Sequence, residues 1–177
     1  TMRVISGTAR GTKLNSIKSL STRPTLDRVK ESLFNILQNK IENSIILDLF
    51  SGSGAIAIEF LSRGSKQAYL CENNLAAIKM IYKNLEKTKL LNKAVIIKKD
   101  YRKSLEIIKT KDVQFDFIFL DPPYQSDFAA DAIKRILLLD LLKEKGTIIV
   151  ETDDEKKELL EIEKLSVKVD DIRKYGR

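Results

Sequence analysis

The 177-residue chain has no histidine and no tryptophan, one cysteine, three prolines and seven glycines. Without histidine, and with Cys71 alone, serine–histidine and cysteine–histidine catalysis and nearly all zinc chemistry fall away. No metal site is expected. Any reaction must run on carboxylates, amides, tyrosine, lysine or binding alone. Cys71 has no partner for an internal disulfide, sits in an apolar run and reads as a core residue of a cytoplasmic protein. No apolar run approaches the ~20 residues that span a bilayer. The opening Thr1–Val4 has no signal-peptide core. Neither a membrane partner nor a leader is therefore expected.

What is present is an apolar content of 43% and a net charge of +7. The apolar share is that of a globular domain. The charge is lopsided: residues 1–30 hold seven of the 32 basic side chains and only one of the 25 acidic ones, Asp27. The remainder is nearly neutral as a total. A basic segment on a neutral body suits a polyanion-binding face, with a plain solvated charge run as the alternative.

The chain is organised around residues 45–54, Ile-Ile-Leu-Asp-Leu-Phe-Ser-Gly-Ser-Gly. A short apolar run ends in Asp48. Gly52 and Gly54 follow, and then the apolar-periodic Ala55–Leu61. This is strand, glycine turn, helix, a place where backbone comes close to a nucleotide-like ligand and a helix start offers unpaired N–H groups. It departs from the dinucleotide fingerprint, with Ala57 at the third glycine position, which the looser form allows. Asp48 would repel a pyrophosphate. A cationic or neutral ligand fits better, and S-adenosylmethionine, with amino and sulfonium groups and no phosphate, is the expected cofactor. A plain tight turn is the alternative.

Ahead of this turn, residues 2–6 and Lys13-Leu14 read as a hairpin around Gly7 and Gly11, and Thr25 reads as the N-cap of a helix through Leu26, Val29, Leu33, Phe34 and Leu37. Behind it, strands are expected at 67–72, 94–98, 115–120, 147–150 and 166–172. Helices are expected over 74–89, 101–109, 128–142 and 156–160, with Gly146 as a break. Strands alternating with helices mean an α/β fold with a mostly parallel sheet and helices on both faces. Glu72 lies 20 residues after Gly52, the spacing at which an acid ending the next strand holds a ribose diol. Asp100 is either an acceptor for an adenine amino group or the N-cap of the helix that follows. Asp48, Glu72, Asp100 and Asp121 fall at the carboxyl ends of four consecutive strands, where ligands of such sheets lie.

Asp121-Pro122-Pro123-Tyr124 carries the chemistry. Two prolines stiffen the loop and remove two N–H donors. The carbonyls and the Asp121 carboxylate can accept from a planar exocyclic amino group, and Tyr124 can stack on its ring. Two acceptors draw the nitrogen toward a tetrahedral shape, and its lone pair can attack a methyl held in line, with positioning and electrostatics supplying the rate.

Asp-Pro-Pro-Tyr after the fourth strand and the glycine turn after the first resemble the amino-methyltransferases of the class I S-adenosylmethionine-dependent fold. The segments 3–7, Arg10-Gly11-x-Lys13-Leu14, Thr22-Arg23-Pro24-Thr25-x-Asp27-Arg28-Val29, Phe34-Asn35-Ile36-Leu37 and Arg173-Lys174-Tyr175-Gly176 resemble more closely the RsmD-type bacterial 16S ribosomal RNA guanine-N2 methyltransferases, over essentially the whole chain. The resemblance implies a seven-stranded Rossmann-like sheet with a small amino-terminal extension: residues 1–40 as a basic hairpin and helix, 41–177 as the methyltransferase core. It implies cofactor contacts near Asp48, Phe50, Gly52, Gly54, Glu72, Asn73, Asp100 and Tyr101. Asp121, Pro122 and Tyr124 would form the target-guanine site, and Arg3, Arg10, Lys13, Arg23 and Arg28 would lie on RNA. The substrate implied is 16S ribosomal RNA in the small ribosomal subunit, and the enzyme is expected as a cytoplasmic monomer. The family continues past Tyr-Gly into a final strand, so that strand is expected to be missing here. Ser51 stands where alanine is common. A DNA-adenine or protein-amide methyltransferase, or an RNA-binding module without activity, shares the motifs.

Overall fold

The computed structural model describes residues 2–16, 24–123 and 126–152 together with Lys157, Leu160 and Ile162; of residues 24–27 only the backbone is described. Helix α1 (Pro24–Leu37) precedes strand β1 (Ile45–Asp48). There follow α2 (Ala55–Ser62), β2 (Gln67–Cys71), α3 (Leu75–Lys87), β3 (Ala94–Ile97), α4 (Tyr101–Lys109), β4 (Phe115–Leu120), α5 (Phe128–Leu138) and β5 (Leu142–Val150). The described strands form one parallel sheet in the order β3-β2-β1-β4-β5. The order reverses at β1, the kind of switch point where open α/β sheets bind ligands.

The run Ile45–Leu47 is apolar on both sides because both faces of β1 are covered. One apolar cluster joins Ile46, Phe60, Leu70 and Phe117 to Phe34 and Leu37 of α1 and to Val4, Ala9 and Leu14 ahead of it. The other joins Leu47, Cys71, Phe115 and Ile118 to Leu105 and Ile108 of α4 and Ile133 and Ile136 of α5. Cys71 is a core residue, as expected. Residues 2–14 pair back through the antiparallel bridge of Arg3 with Lys13, so the expected hairpin is present.

Two expectations need correcting. Helix α1 begins at Pro24, so Thr25 is inside the helix rather than its cap; proline suits the first helical position, where no intrahelical partner exists for an N–H. Helix α5 stops at Leu138, and Gly146 lies within β5 instead of breaking the chain before it. The glycine sits beside a shift in the β4–β5 register, where a Cβ would come within 2.6 Å of Leu142 Cδ1. Among the described residues the sheet has five strands, and the seven that the resemblance implied are not tested beyond them. The strand expected at 166–172 lies outside the described residues, as does most of the helix at 156–160, of which Lys157 and Leu160 are helical.

Candidate active site

The glycine turn leaves β1 at Asp48 and enters α2. Ser51 N–H donates to the Cys71 carbonyl at 3.0 Å and Gly54 N–H to the Ser51 carbonyl at 2.9 Å. Gly52 and Gly54 have φ of 57° and 82°, a region that glycine enters without steric cost. A Cβ on Gly54 would lie 3.2 Å from Leu70 Cδ2 and 3.4 Å from Ile81 Cγ1, so glycine lets α2 start tight against β2 and α3. A Cβ on Gly52 would meet nothing within 4 Å. The turn is packed below and open above.

Glu72 closes over this turn. Its Oε1 accepts from Gly52 N–H at 2.8 Å, and its Oε2 accepts from the N–H groups of Asn73 and Asn74 at 3.0 Å each. The carboxylate that ends β2 therefore sets the path of both the turn and the entry to α3. Asn74 caps α3 through the Ala77 N–H.

Asp48 is 1% exposed. Its Oδ2 accepts from the Ser51 hydroxyl at 3.0 Å, while Oδ1 has no hydrogen-bond partner among the described residues. Burial pushes its carboxyl up to about 7; the Ser51 hydroxyl and the nearby Ala57 N–H of α2 oppose the rise, and the charge of Glu72 adds to it. A buried carboxyl oxygen with an unfilled lone pair, beside an open glycine turn, suits a cationic amino group. The turn therefore fits S-adenosylmethionine better than a phosphate.

Asp100 takes the capping role: its Oδ1 accepts from Lys103 N–H at 2.9 Å at the start of α4. Tyr101 is buried, its ring 5.3 Å from that of Phe50 and 4.9 Å from that of Phe128. The Tyr101 hydroxyl donates to Asp131 Oδ2 at 2.6 Å, a carboxylate that also takes Arg102 and Arg135. Burial, and then this bond to Asp131, raise the Tyr101 phenol above its ordinary value.

After β4, Asp121 is exposed and Pro122 half-buried. The Pro123 carbonyl accepts from both the Ser126 N–H, at 3.2 Å, and the Ser126 hydroxyl, at 2.8 Å. It is committed to its own loop. Tyr124 lies outside the described residues, as does Arg23.

The sheet thus places Asp48, Glu72, Asp100 and Asp121 at one edge, at the carboxyl ends of adjacent strands. Of the basic residues, Arg10 lies away from this edge. Arg3, Arg10, Lys13 and Arg28 are exposed. Arg10 follows Ala9, whose N–H is held by the Ser62 hydroxyl at the carboxyl end of α2. The eight residues of α2 put this about 12 Å from the glycine turn. A cleft of about 570 Å³, lined by Ser6, Gly7, Thr8, Gln38, Ser62 and Arg63 among others, lies at that same far end.

Sequence reasoning missed three residues that hold the site together. Ser51 bonds Asp48, as above. Glu59, fully buried on α2, accepts from Ile5 and Ser6 N–H and pairs with Lys30 and Arg63 at 3.2 and 2.7 Å. Asn84, fully buried on α3, exchanges two hydrogen bonds with the Asn15 backbone and donates to the Ser53 carbonyl at 2.9 Å. The available signal was a polar residue interrupting the apolar face of a helix, at Glu59 after Ala55–Ile58 and at Asn84 beside Leu85.

The family model described as conserved hypothetical protein 95 matches residues 2–177. The ribosomal RNA small subunit methyltransferase D of Haemophilus influenzae is 39% identical over 158 residues, 88% of this chain and 80% of that protein. The chain belongs to this family. The yhhF chain of Escherichia coli, 32% identical, superposes with a TM-score of 0.77 over 88% of this chain and 82% of its own. A more distant chain, SMU.776, solved with S-adenosylhomocysteine, shares the fold: TM-score 0.66 and 19% identity over 76% of this chain and 39% of its own. The expected α/β methyltransferase fold is therefore present. Among the described residues, no group of histidine, cysteine or acidic side chains is placed to hold a metal ion. No described helix is long and apolar enough to cross a membrane.

Proposed function

We propose that this chain transfers the methyl group of S-adenosylmethionine to the exocyclic 2-amino group of a guanine in 16S ribosomal RNA, within the small ribosomal subunit. One observation carries the cofactor half: the orphaned, buried Oδ1 of Asp48 beside the open glycine turn. The family supports the RNA half, with relatives named as small-subunit ribosomal RNA methyltransferases.

Bound, S-adenosylmethionine supplies an electrophilic methyl group on a sulfonium. Asp48 receives its amino group, and Glu72 its ribose. The Glu72 carboxylate has roughly four lone-pair sites, and three backbone N–H groups already use them. A diol brings two donors, so binding it displaces one of these bonds. Phe50, backed by Tyr101 and Phe128, forms an apolar wall, and Asp100 and Asn73 border the adenine end.

The target nitrogen must bring its own lone pair, because the single thiol of the chain is not placed to activate a carbon: Cys71 is buried, and burial pushes its thiol up to about 12. Asp121 and the Pro122 carbonyl accept the two amino hydrogens. This orients the lone pair at the methyl group and stabilises the positive charge that grows on nitrogen. The proton released after transfer passes through exposed Asp121 to water. Tyr124 stacks on the base, which must leave its helix or already stand in a loop to reach it.

The test is incubation with methyl-labelled S-adenosylmethionine of small subunits lacking the modification, beside free ribosomal RNA, DNA and protein. Label recovered as N2-methylguanine at one RNA position is expected. Label in DNA or protein alone, or none in RNA while cofactor binding is intact, overturns the reading. Asp121→Ala is expected to lower turnover by about 10²-fold or more with cofactor affinity unchanged. Loss of both would make Asp121 structural.

A further inference from the structure

The near-neutral total of the chain beyond residue 30 hides a second concentration of charge. Residues 79–103 carry nine basic and two acidic side chains, an excess equal to the +7 of the whole chain. Folding gathers much of it on one face. Lys79, Lys83 and Lys87 recur every fourth residue of α3 and are all exposed. They stand in one row, about 6 Å apart along the helix axis. The Lys98 ammonium sits 5.2 Å from the centre of the Tyr82 ring, tying the end of β3 to this row. Exposed Lys93 and Lys99 flank it, and β3 is the edge of the described sheet.

Two features separate this face from ordinary solvated charge. Among the described residues, no carboxylate pairs with Lys79, Lys83, Lys93, Lys98 or Lys99, whereas neighbouring Arg102 and Lys103 pair with Asp131 and Glu106. Unrelieved like charges at this spacing destabilise a helix; of α3's exposed residues only Glu86 offsets them. The row is also continuous with the amino-terminal hairpin, since Lys87 Nζ donates to the Lys13 carbonyl at 2.7 Å. Its other end, at Lys79, is one turn from the Glu72–Asn74 junction that borders the cofactor turn.

We infer that the α3–β3 face is a second RNA-binding surface, which holds the phosphodiester backbone of a segment other than the one carrying the target base. The inference rests on the RNA reading above. Strands β2 and β1 separate β3 from β4, so the face is three strand spacings, about 14 Å, from the motif after β4. β3 is therefore set apart from the strand whose motif takes the target base. Ammonium groups in a row grip phosphate without reading bases, and the one aromatic ring, Tyr82, lies under Lys98. The surface therefore adds affinity and orientation rather than sequence preference.

The test compares the wild type with Lys79→Glu/Lys83→Glu and with Lys134→Glu/Lys145→Glu, which changes net charge equally at exposed positions on α5 and β5. Binding of small-subunit RNA is measured against salt, together with KM, kcat and S-adenosylmethionine affinity. The α3 variant is expected to weaken RNA binding roughly tenfold and to flatten the log–log salt slope by about 1.4, two phosphate contacts' worth. KM rises to match, kcat and cofactor affinity stay, and the α5–β5 variant shows much less. If the wild type methylates RNA and the two variants behave alike, the surface is overturned while the functional reading stands. If the wild type methylates no RNA yet binds it, and only the α3 variant weakens that binding, the surface stands while the functional reading falls. No RNA binding by the wild type overturns both.

Discussion

Asp48 is where the chemistry of a single side chain decides most. A carboxyl raised to about 7 by burial is largely protonated in mildly acidic solution. Pairing with a cationic amino group needs the ionised form, so cofactor binding must expel a proton below that value. The expected outcome is an S-adenosylmethionine affinity that weakens about tenfold for each pH unit below roughly 7 and levels off above it. Titration calorimetry from pH 5.5 to 8.5 measures this, and a flat profile would show that Asp48 does not meet the amino group. The stability effect has the opposite direction. The folded value lies above the unfolded one, so between about pH 4 and 7 the native state holds the extra proton, and stability falls as pH rises through that window. Asp48→Asn removes this term. It is expected to flatten the pH dependence of the apo-protein's melting temperature while lowering cofactor affinity. Sequence alone placed an acid at the end of a strand before two glycines and inferred a cationic or neutral ligand from it. It could not show that Oδ1 is left without a partner among the described residues, because that depends on how tightly β2, α2 and the Ser51 hydroxyl close around the carboxyl.

At the scale of elements, the amino-terminal hairpin, α1 and α2 meet at Glu59. Its carboxylate is fully buried and takes two backbone N–H groups of the hairpin, Lys30 of α1 and Arg63 of its own helix. The Lys30 ammonium spans the same joint, donating to the Arg3 carbonyl at 2.9 Å. Removing one member leaves buried charge unpaired, so Glu59→Ala is expected to cost about 3–5 kcal/mol. Urea unfolding measures the loss, and hydrogen exchange should show the Ile5 and Ser6 amides deprotected. A loss under about 1 kcal/mol with both amides still protected would mean that apolar packing alone seats the hairpin. Asn84 works likewise between the Asn15 backbone and the Ser53 carbonyl, joining the arm to the cofactor turn. The strands and most helices were legible because apolar runs and 3.6-residue periodicity are local. These joints were not, because they pair residues 27 to 69 positions apart. The end of α5 and the place of Gly146 were misread for the same reason: the β4–β5 register, not the local sequence, admits glycine inside the strand.

For the molecule as a whole, the decisive feature is how the extension ahead of β1 packs on the core. The resemblance sets residues 1–40 as an extension of the core within a single domain, and Val4, Ala9, Leu14, Phe34, Leu37 and Ile41 are buried in one cluster with Ile46, Ile58 and Phe60 of the sheet layer. Full burial of a large aliphatic side chain contributes about 1.5–3 kcal/mol, so Val4 and Leu14 alone account for roughly 3–6 kcal/mol before Glu59 is counted. That is a large part of the 5–15 kcal/mol typical of a whole domain. A chain beginning at residue 17 is therefore expected to melt at least about 10 °C lower, with loss of the native transition, rather than as an intact methyltransferase lacking an RNA arm. Calorimetry of that truncation beside Arg3→Glu/Arg10→Glu, which changes the arm's charge and leaves its apolar residues, separates the two roles. The charge variant should melt near the wild type and lose RNA affinity at low salt. A truncated chain that melts within a few degrees of the full one and still binds S-adenosylmethionine would make the arm an appendage that the core does not need.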